Sequence, residues 1–227
     1  MRLRVGALVV GAALIAACDN GNGPPPPQAS IFRALHAIRG GPTLNVVVDQ
    51  RSLATALAFG ELTRALALSP GPHTLEPVPS NSGLHVFLVF NTVSGVNYTA
   101  FVIDSVSGSD HIVDPVVVSD IGSQPAPGHG RLRLGNFAAV AGSIDAYRTQ
   151  PDSSGLILTR RPFNFRAVTG YFESTPGKWT VVISHGGVMD TLLATDSILV
   201  GDGQARTVAL VDSGPGLVSW RLVPDRN

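Results

Sequence analysis

Hydrophobic side chains recur at every second position over short stretches of this chain. Residues 44–48 and 131–134 show this alternation, which places successive side chains on opposite faces of a β-strand. Residues 84–90 and 179–183 are apolar on both faces, a pattern typical of the central strands of a sandwich. The sequence therefore predicts many short strands, separated by turn signals such as the Pro70-Gly71 dipeptide.

The same order of segments occurs twice along the chain. The first two matched pairs lie 100 residues apart and the third lies 106 apart, so the second copy carries about six extra residues, which we place within 150–155. Chance similarity between two valine-rich sets of strands is the alternative to an internal duplication. The matched segments are 32–37 with 132–137, 44–46 with 144–146, 69–74 with 175–180, and 99–104 with 207–212.

One segment, residues 52–68, has the composition of a helix. It is rich in alanine and leucine, and its leucines lie near helical spacing. Gly60 interrupts that spacing, and the matching segment 163–174 is rich in aromatic and β-branched residues, which favour strands. We therefore expect strands in both places.

These patterns define the fold class and the domain organisation that we expect. The chain is predicted to be all-β, with two tandem immunoglobulin-like antiparallel β-sandwich domains. The first domain spans residues 30–121, a Gly- and Pro-containing linker spans 122–129, and the second domain spans 130–227.

The first eighteen residues have the layout of an export signal. Arg2 and Arg4 precede an uncharged, mostly apolar run, residues 5–17, which is shorter than the about 20 residues that cross a bilayer. The run ends at Ala17 just before Cys18, and this resembles the lipobox of a bacterial lipoprotein precursor. The resemblance implies a lipoprotein signal peptide over residues 1–17, cleavage between Ala17 and Cys18, and lipidation of Cys18 by acyl chains such as palmitate. An ordinary signal peptide with an incidental cysteine is the alternative.

Residues 18–29 are predicted to be a tether. Its polar and glycine residues bury too little surface to fold, and Pro24–Pro27 favour an extended polyproline spacer. The predicted location is the cell envelope, with the membrane as a partner through the N-terminal lipid anchor. Asp19 leaves the choice between inner and outer membrane open.

The charge distribution excludes one class of partner. Sixteen Lys and Arg residues balance sixteen Asp and Glu residues, and no run of like charge occurs. Nucleic acid recognition requires a basic stripe, so no nucleic acid partner is expected. Cys18 is the only cysteine, so no internal disulfide is expected to stabilise the predicted domains.

The sequence contains no motif that assigns a reaction. The six histidines lack the spacing of a zinc site, and no Gly-x-Ser-x-Gly elbow or glycine-rich phosphate loop occurs. We therefore expect no metal-binding, cofactor-binding or catalytic residue. An envelope-anchored hydrolase, whose catalytic triad forms only in space, is the alternative.

Five polar or aromatic residues are candidates for particular roles. His36, at the end of the first predicted strand, is expected to donate a hydrogen bond to a backbone carbonyl in the adjoining turn, and Asn136 to make a similar bond. Tyr98, Tyr147 and Tyr171 are candidates for a carbohydrate-stacking patch.

The duplicated segments also carry a family resemblance. The opening strand with Arg33 and His36, the apolar strand ending in Asp49, and the Pro70-Gly71 turn followed by Thr74 resemble the domain-of-unknown-function 4397 family. The resemblance covers residues 30–225 and implies an immunoglobulin-like β-sandwich found in bacterial secreted and surface proteins, with no established activity. The matching residues of the second copy are Arg133, Asn136, Pro176, Gly177 and Thr180.

The function expected from these observations is that of a cell-envelope lipoprotein. We expect it to act as a non-catalytic binding or structural module. Because sandwich domains serve many unrelated functions, the fold does not choose the ligand. The candidate partners are an envelope protein or a glycan.

Overall fold

The chain folds almost entirely into β-strands. The structure, a computed structural model, describes residues 26–83, 85–105, 112–214 and 216–225. Over these residues the regular elements are eighteen strands and one short 3-10 turn. The all-β prediction is therefore confirmed. The predicted signal peptide, Cys18 and residues 19–25 of the predicted tether lie outside the described residues.

The first part of the chain, residues 30–119, forms two four-stranded sheets and is called unit 1. Its inner sheet has the strand order β4-β1-β7-β8, and its outer sheet has the order β3-β2-β5-β6. The strands are β1 (Ser30–His36), β2 (Leu44–Val48), β3 (Arg51–Leu57), β4 (Leu66–Leu68), β5 (Gly71–Pro79), β6 (Leu88–Thr92), β7 (Tyr98–Asp104) and β8 (Val113–Ser119).

The second part, residues 130–224, repeats this arrangement and is called unit 2. Its inner sheet has the order β12-β9-β17-β18, its outer sheet the order β11-β10-β14-β15, and β13 pairs with β16. The elements are β9 (Gly130–Phe137), the 3-10 turn Ala139–Ala141, β10 (Ile144–Arg148), β11 (Ile157–Phe163), β12 (Phe172–Ser174), β13 (Gly177–Trp179), β14 (Val181–His185), β15 (Leu193–Ala194), β16 (Ile198–Val200), β17 (Ala205–Gly214) and β18 (Leu217–Pro224).

The central strand of each inner sheet runs parallel to one neighbour. Strand β1 is antiparallel to β4 and parallel to β7, and β9 is antiparallel to β12 and parallel to β17. Parallel strands need a crossover connection, and here the chain passes through the outer sheet before it returns beside β1 or β9. The β-sandwich prediction is confirmed, but the inner sheets are mixed rather than purely antiparallel.

The segment with helix-like leucine spacing, residues 52–68, forms strands with an irregular register. This segment contains β3 and β4, as the duplication predicts, and the pairing of β2 with β3 shifts register twice. Ala56 has a φ of 52°, and its amide donates to Oδ1 of Asn45 at 3.0 Å. Leu53 and Leu57 are four residues apart, a spacing that also fits one face of a strand, and both are buried.

Six of the extra residues of unit 2 lie in one hairpin. Two residues, 49–50, separate β2 from β3, whereas eight residues, 149–156, separate β10 from β11. Unit 2 therefore has six more residues at the position where the change in offset between the two copies places them.

The described residues contain three apolar clusters, one inside each sandwich and one between the two inner sheets. The third includes Phe101 of β7 and Phe137 of β9, whose rings stack with centroids 4.2 Å apart. Each inner sheet therefore packs on its outer sheet with one face and on the other inner sheet with the second face. The sheets lie in the order outer, inner, inner, outer.

Because of this stacking, the strands that are buried on both faces are not the ones that the sequence predicts. All seven residues of β7 are buried, whereas β6, within the apolar run at 84–90, is an edge strand in which Val89 is exposed. Residues 179–183 alternate between buried and half-buried positions. The prediction of a central strand at 84–90 was wrong, because hydrophobicity alone does not say which strands a second sheet covers. Strand β14, which begins within 179–183, does lie between two neighbours, β10 and β15.

Candidate functional site

His36 lies at the end of β1 and is fully buried. Its Nε2 lies 3.0 Å from the carbonyl oxygen of Pro42, and its Nδ1 accepts a hydrogen bond from the amide of Ile38 at 3.1 Å. Because Nδ1 accepts, Nε2 carries the hydrogen and donates. The ring thereby satisfies backbone groups in the turn between β1 and β2.

Asn136 makes the equivalent contacts at the end of β9, and it is also fully buried. Its Oδ1 accepts from the amide of Ala138 at 3.3 Å, and its Nδ2 donates to the carbonyls of Gly142 at 3.3 Å and Phe163 at 2.9 Å. In both units the side chain therefore binds the amide two residues later and a carbonyl six residues later. Neither residue faces solvent, so both maintain the turn.

A groove of about 280 Å³ lies on the exposed face of the outer sheet of unit 1. It combines one aliphatic and one aromatic side chain with hydroxyl, amide and carboxylate groups. Ligand sites commonly combine an apolar surface with polar groups that orient the ligand, and this groove contains both. The lining residues are Val47, Asp49, Gln50, Thr74, Glu76 and Phe87.

Asp49 and His73 fix one end of the groove. Asp49 and Gln50 form the tight turn between β2 and β3 with φ values of 48° and 63°. Nδ1 of His73 lies 2.6 Å from Oδ2 of Asp49, and the amide of Thr74 donates to Oδ1 at 2.9 Å. Burial disfavours both charged forms, but these hydrogen bonds outweigh it, so the pKa of His73 is raised and that of Asp49 is lowered.

Nε2 of His73 also has a fixed partner. It lies 2.7 Å from the carbonyl oxygen of Ser69, so both ring nitrogens of His73 face oxygen acceptors. In unit 2 the matching ring is Trp179, whose Nε1 donates to the carbonyl of Thr175 at 3.0 Å. The ring at this position thus ties the Pro-Gly turn of each unit to the sandwich.

An exposed aromatic ring borders the other end of the groove. Phe87 is 63% exposed and stacks with His85 at a centroid distance of 6.2 Å and an interplanar angle of 15°. Nδ1 of His85 in turn pairs with the carboxylate of Glu76. The groove therefore offers a flat apolar surface beside acceptors and donors, which suits a ligand with an apolar face and polar edges.

The matching face of unit 2 has different chemistry. Strand registers place Tyr147 where unit 1 has Val47, and Val182 where it has Glu76. Nη2 of Arg161 donates to the hydroxyl of Tyr147 at 2.5 Å, and the hydroxyl lies 3.7 Å from the sulfur of Met189. The carboxylate and the exposed phenylalanine of unit 1 have no counterparts at these paired positions, so the two outer faces differ in what they offer a ligand.

A buried ionic cluster joins the two units. Nη2 of Arg133 lies 2.6 Å from Oδ1 of Asp120, and Nη2 of Arg33 lies 3.5 Å from Oδ1 of Asp225. The four side chains are at most 5% exposed. Each arginine, one from β1 and one from β9, therefore pairs with the aspartate that follows the last strand of the other unit.

Threonines and a tyrosine complete this cluster. Nε of Arg33 donates to Thr99 at 3.0 Å, and Nε of Arg133 donates to Thr207 at 2.6 Å. The Arg133 guanidinium also lies 4.5 Å from the centre of the Tyr171 ring. Burial, together with the negative charge of the nearby Asp225, raises the pKa of Asp120 to about 6. In the sequence, the signal for this cluster is the matched pair Arg33 and Arg133. No pattern near Asp120 or Asp225 identifies these aspartates as their partners.

The three tyrosines do not form a carbohydrate-stacking patch. Tyr98 and Tyr147 are buried, at 7% and 8% exposure, and Tyr171 lies against Arg133 in the cluster between the units. The exposed ring is Phe87 instead. Sequence reasoning missed it because Phe87 belongs to an apolar run that indicates a central strand.

Two further features concern ligands and membranes. Among the residues that the structure describes, no group of three or more His, Cys, Asp or Glu side chains is placed to hold a metal ion. Over the same ranges, no helix has the length and apolar character needed to cross a membrane.

The fold and these sites define a β-sandwich protein. The two units make buried polar contacts at equivalent positions, and a groove opens on the outer sheet of unit 1. Residues 30–147 match a family described as a domain of unknown function, DUF4397. The chain belongs to this family. The match covers unit 1 and continues through β9 and β10 of unit 2. No curated protein matches the chain.

Proposed function

We propose that this protein is a bacterial cell-envelope lipoprotein whose two tandem β-sandwich domains act as a non-catalytic binding module. The anchor is the acylated Cys18, and its support is the sequence of residues 1–18. The support for tandem domains is the common strand order of the two units and the equivalent bonds of His36 and Asn136.

The ligand that fits the groove of unit 1 is a glycan of the envelope. The observation that carries this proposal is the 63% exposure of Phe87 beside the groove. An aromatic face packs against the apolar face of a sugar ring, while Gln50, Thr74 and Glu76 offer hydrogen bonds to its hydroxyl groups. Asp49 is held in place by His73 and Thr74, so this part of the groove is formed before a ligand arrives.

A glycan array probed with the full-length protein in detergent tests the ligand. The array should identify a bound saccharide, and Phe87→Ala should weaken that binding by about tenfold, a loss of about 1.4 kcal/mol. Leu199→Ala is the matched control, because Leu199 of β16 in unit 2 is 62% exposed. Absence of binding to any glycan, or equal binding by both variants, would contradict the proposal.

Mass spectrometry of the N-terminal peptide tests the anchor. The expected species begins at Cys18 and carries acyl chains. A chain with an unacylated Cys18 would contradict the proposed anchoring without bearing on the groove.

A further inference from the structure

Strand β6 forms an uncovered margin of the outer sheet of unit 1. It pairs with β5 on one side and has no neighbour on the other within the described strands. Three apolar side chains are exposed on this strand or directly beside it: Phe87, Val89 and Val93 are 63%, 68% and 58% exposed. Asn91, between Val89 and Val93, is also exposed. We call these three residues the apolar edge.

The apolar edge lacks the protection that edge strands usually have. Soluble proteins place charged residues or proline on such strands to prevent contact with other surfaces. Residues 80–103 contain no Asp, Glu, Lys, Arg or Pro. The carboxylate of Glu76, on the neighbouring strand, is paired with His85. The edge can therefore enter a less polar environment without stripping water from an unpaired charge of its own.

The N-terminal segment is attached to the fold beside this edge. The hydroxyl of Ser30 donates to the carbonyl of Val93 at 2.8 Å, and the amide of Gly95 donates to the carbonyl of Gln28 at 3.1 Å. The amide of Gln28 donates to the hydroxyl of Ser94 at 2.9 Å. The chain that leads to Cys18 thus leaves the sandwich next to Val93.

The length of that chain limits how far the edge lies from the anchor. Gln28 lies ten positions after Cys18, and an extended or polyproline chain covers about 3.1–3.5 Å per residue. The span is therefore at most about 35 Å. A surface tethered this closely meets the bilayer at a high effective concentration, so even a small apolar contact is populated.

We propose that the apolar edge docks on the lipid surface of the membrane that holds Cys18. This inference rests on the proposed acylation of Cys18. Val89 and Val93, nearest to the tether, make the lipid contact, and Phe87 at the far end borders the glycan groove. Apolar side chains placed at the boundary between headgroups and acyl chains stabilise such contacts in proportion to the area they bury. The docked molecule then presents its groove next to the bilayer.

Site-directed labelling on vesicles tests the docking. Full-length Val89→Cys protein carries a polarity-sensitive thiol dye and is reconstituted in vesicles of phosphatidylethanolamine and phosphatidylglycerol that contain a lipid-borne quencher. We expect the dye at position 89 to lose most of its emission. The same dye on Leu199→Cys, a position 62% exposed in unit 2, should lose little. Adding Val93→Asp to Val89→Cys should reduce the quenching.

The parent protein separates failure of the anchor from failure of docking. Its only thiol is Cys18, which acylation consumes through a thioether, so the parent should take up no dye. Labelling of the parent would refute the anchor, and the docking with it. An unlabelled parent with equal quenching at positions 89 and 199, or with none at 89, would overturn the docking alone. Disulfide-linked dimers of Val89→Cys on vesicles would also overturn it, because a second copy of the chain would then cover the edge.

Discussion

Arg133 of unit 2 and Asp120, which follows the last strand of unit 1, are joined by a 2.6 Å contact between side chains that are at most 3% exposed. Arg33 and Asp225 make the reverse contact, from unit 1 to unit 2. Each arginine therefore pairs with an aspartate of the other unit, and these contacts form only when the two inner sheets face each other. Arg133 also lies 3.5 Å from Asp225 of its own unit. Buried ion pairs add little net stability over apolar residues, but a missing partner is costly, so this cluster selects one way of packing the units.

Removal of one arginine should destabilise the protein strongly. Arg133→Met leaves Asp120 and Asp225 buried with one cation between them, and we expect the free energy of unfolding to fall by about 3–5 kcal/mol. Urea denaturation measures this loss. Arg160→Met, on the exposed surface of β11, is the control and should change stability by less than about 0.5 kcal/mol. The double variant Arg133→Met with Asp120→Leu should recover most of the loss, and a double variant no more stable than the single one would contradict this account.

Asp120 should make the protein more stable in mild acid. Its pKa is raised to about 6 in the folded state, above its ordinary value of 3.8, so the folded state binds a proton more tightly than the unfolded state. The contribution of Asp120 to the free energy of unfolding should therefore increase as pH falls from about 6 to about 4, by on the order of 2 kcal/mol. Urea denaturation of the parent and of Asp120→Asn across this range tests the sign. The free energy of unfolding of the parent should rise relative to that of Asp120→Asn as pH falls, and a relative value that stays constant or falls would refute this sign.

The pair of His73 and Asp49 should stabilise the protein most in mildly acidic solution and lose this effect both in stronger acid and as pH rises above neutral. The pKa of His73 is raised, so its contribution is complete below about 6.5 and is lost as pH rises through the folded-state value. The pKa of Asp49 is lowered, so its contribution is present above about 3.8 and is lost as pH falls through the folded-state value. The difference in melting temperature between the parent and His73→Gln should be largest between these limits. A difference in melting temperature that does not change with pH would contradict this account.

Asparagine should replace histidine at position 36 with little loss. His36 and Asn136 bind the equivalent amide and the equivalent carbonyl in the two units, so His36→Asn preserves the turn. His36→Leu leaves the buried amide of Ile38 and carbonyl of Pro42 without that partner, and should cost about 1–3 kcal/mol. Equilibrium unfolding of the two variants measures the contrast, and equal losses would show that the ring contributes packing rather than hydrogen bonds.

Local patterns in the amino-acid sequence were sufficient to predict the strands and the turns. Alternating side chains at 44–48, the paired Pro-Gly turns and the interrupted leucine pattern of residues 52–68 all report on neighbours a few positions away. Such signals act within one element, and the strand content follows from them. The position of His36 at the end of its strand could be predicted for the same reason.

Contacts between distant segments decided the rest. Phe87 and Phe101 both lie in apolar runs, yet one is 63% exposed and the other fully buried, because a second inner sheet covers β7 and no sheet of the described residues covers β6. In the sequence, Asp120 and Asp225 are ordinary residues that follow strands. Their pairing with the arginines is visible only in the structure, where the two units face each other. Periodicity tells which side chains share a face, but the partner of that face depends on how whole sheets stack, and only the folded chain contains that information.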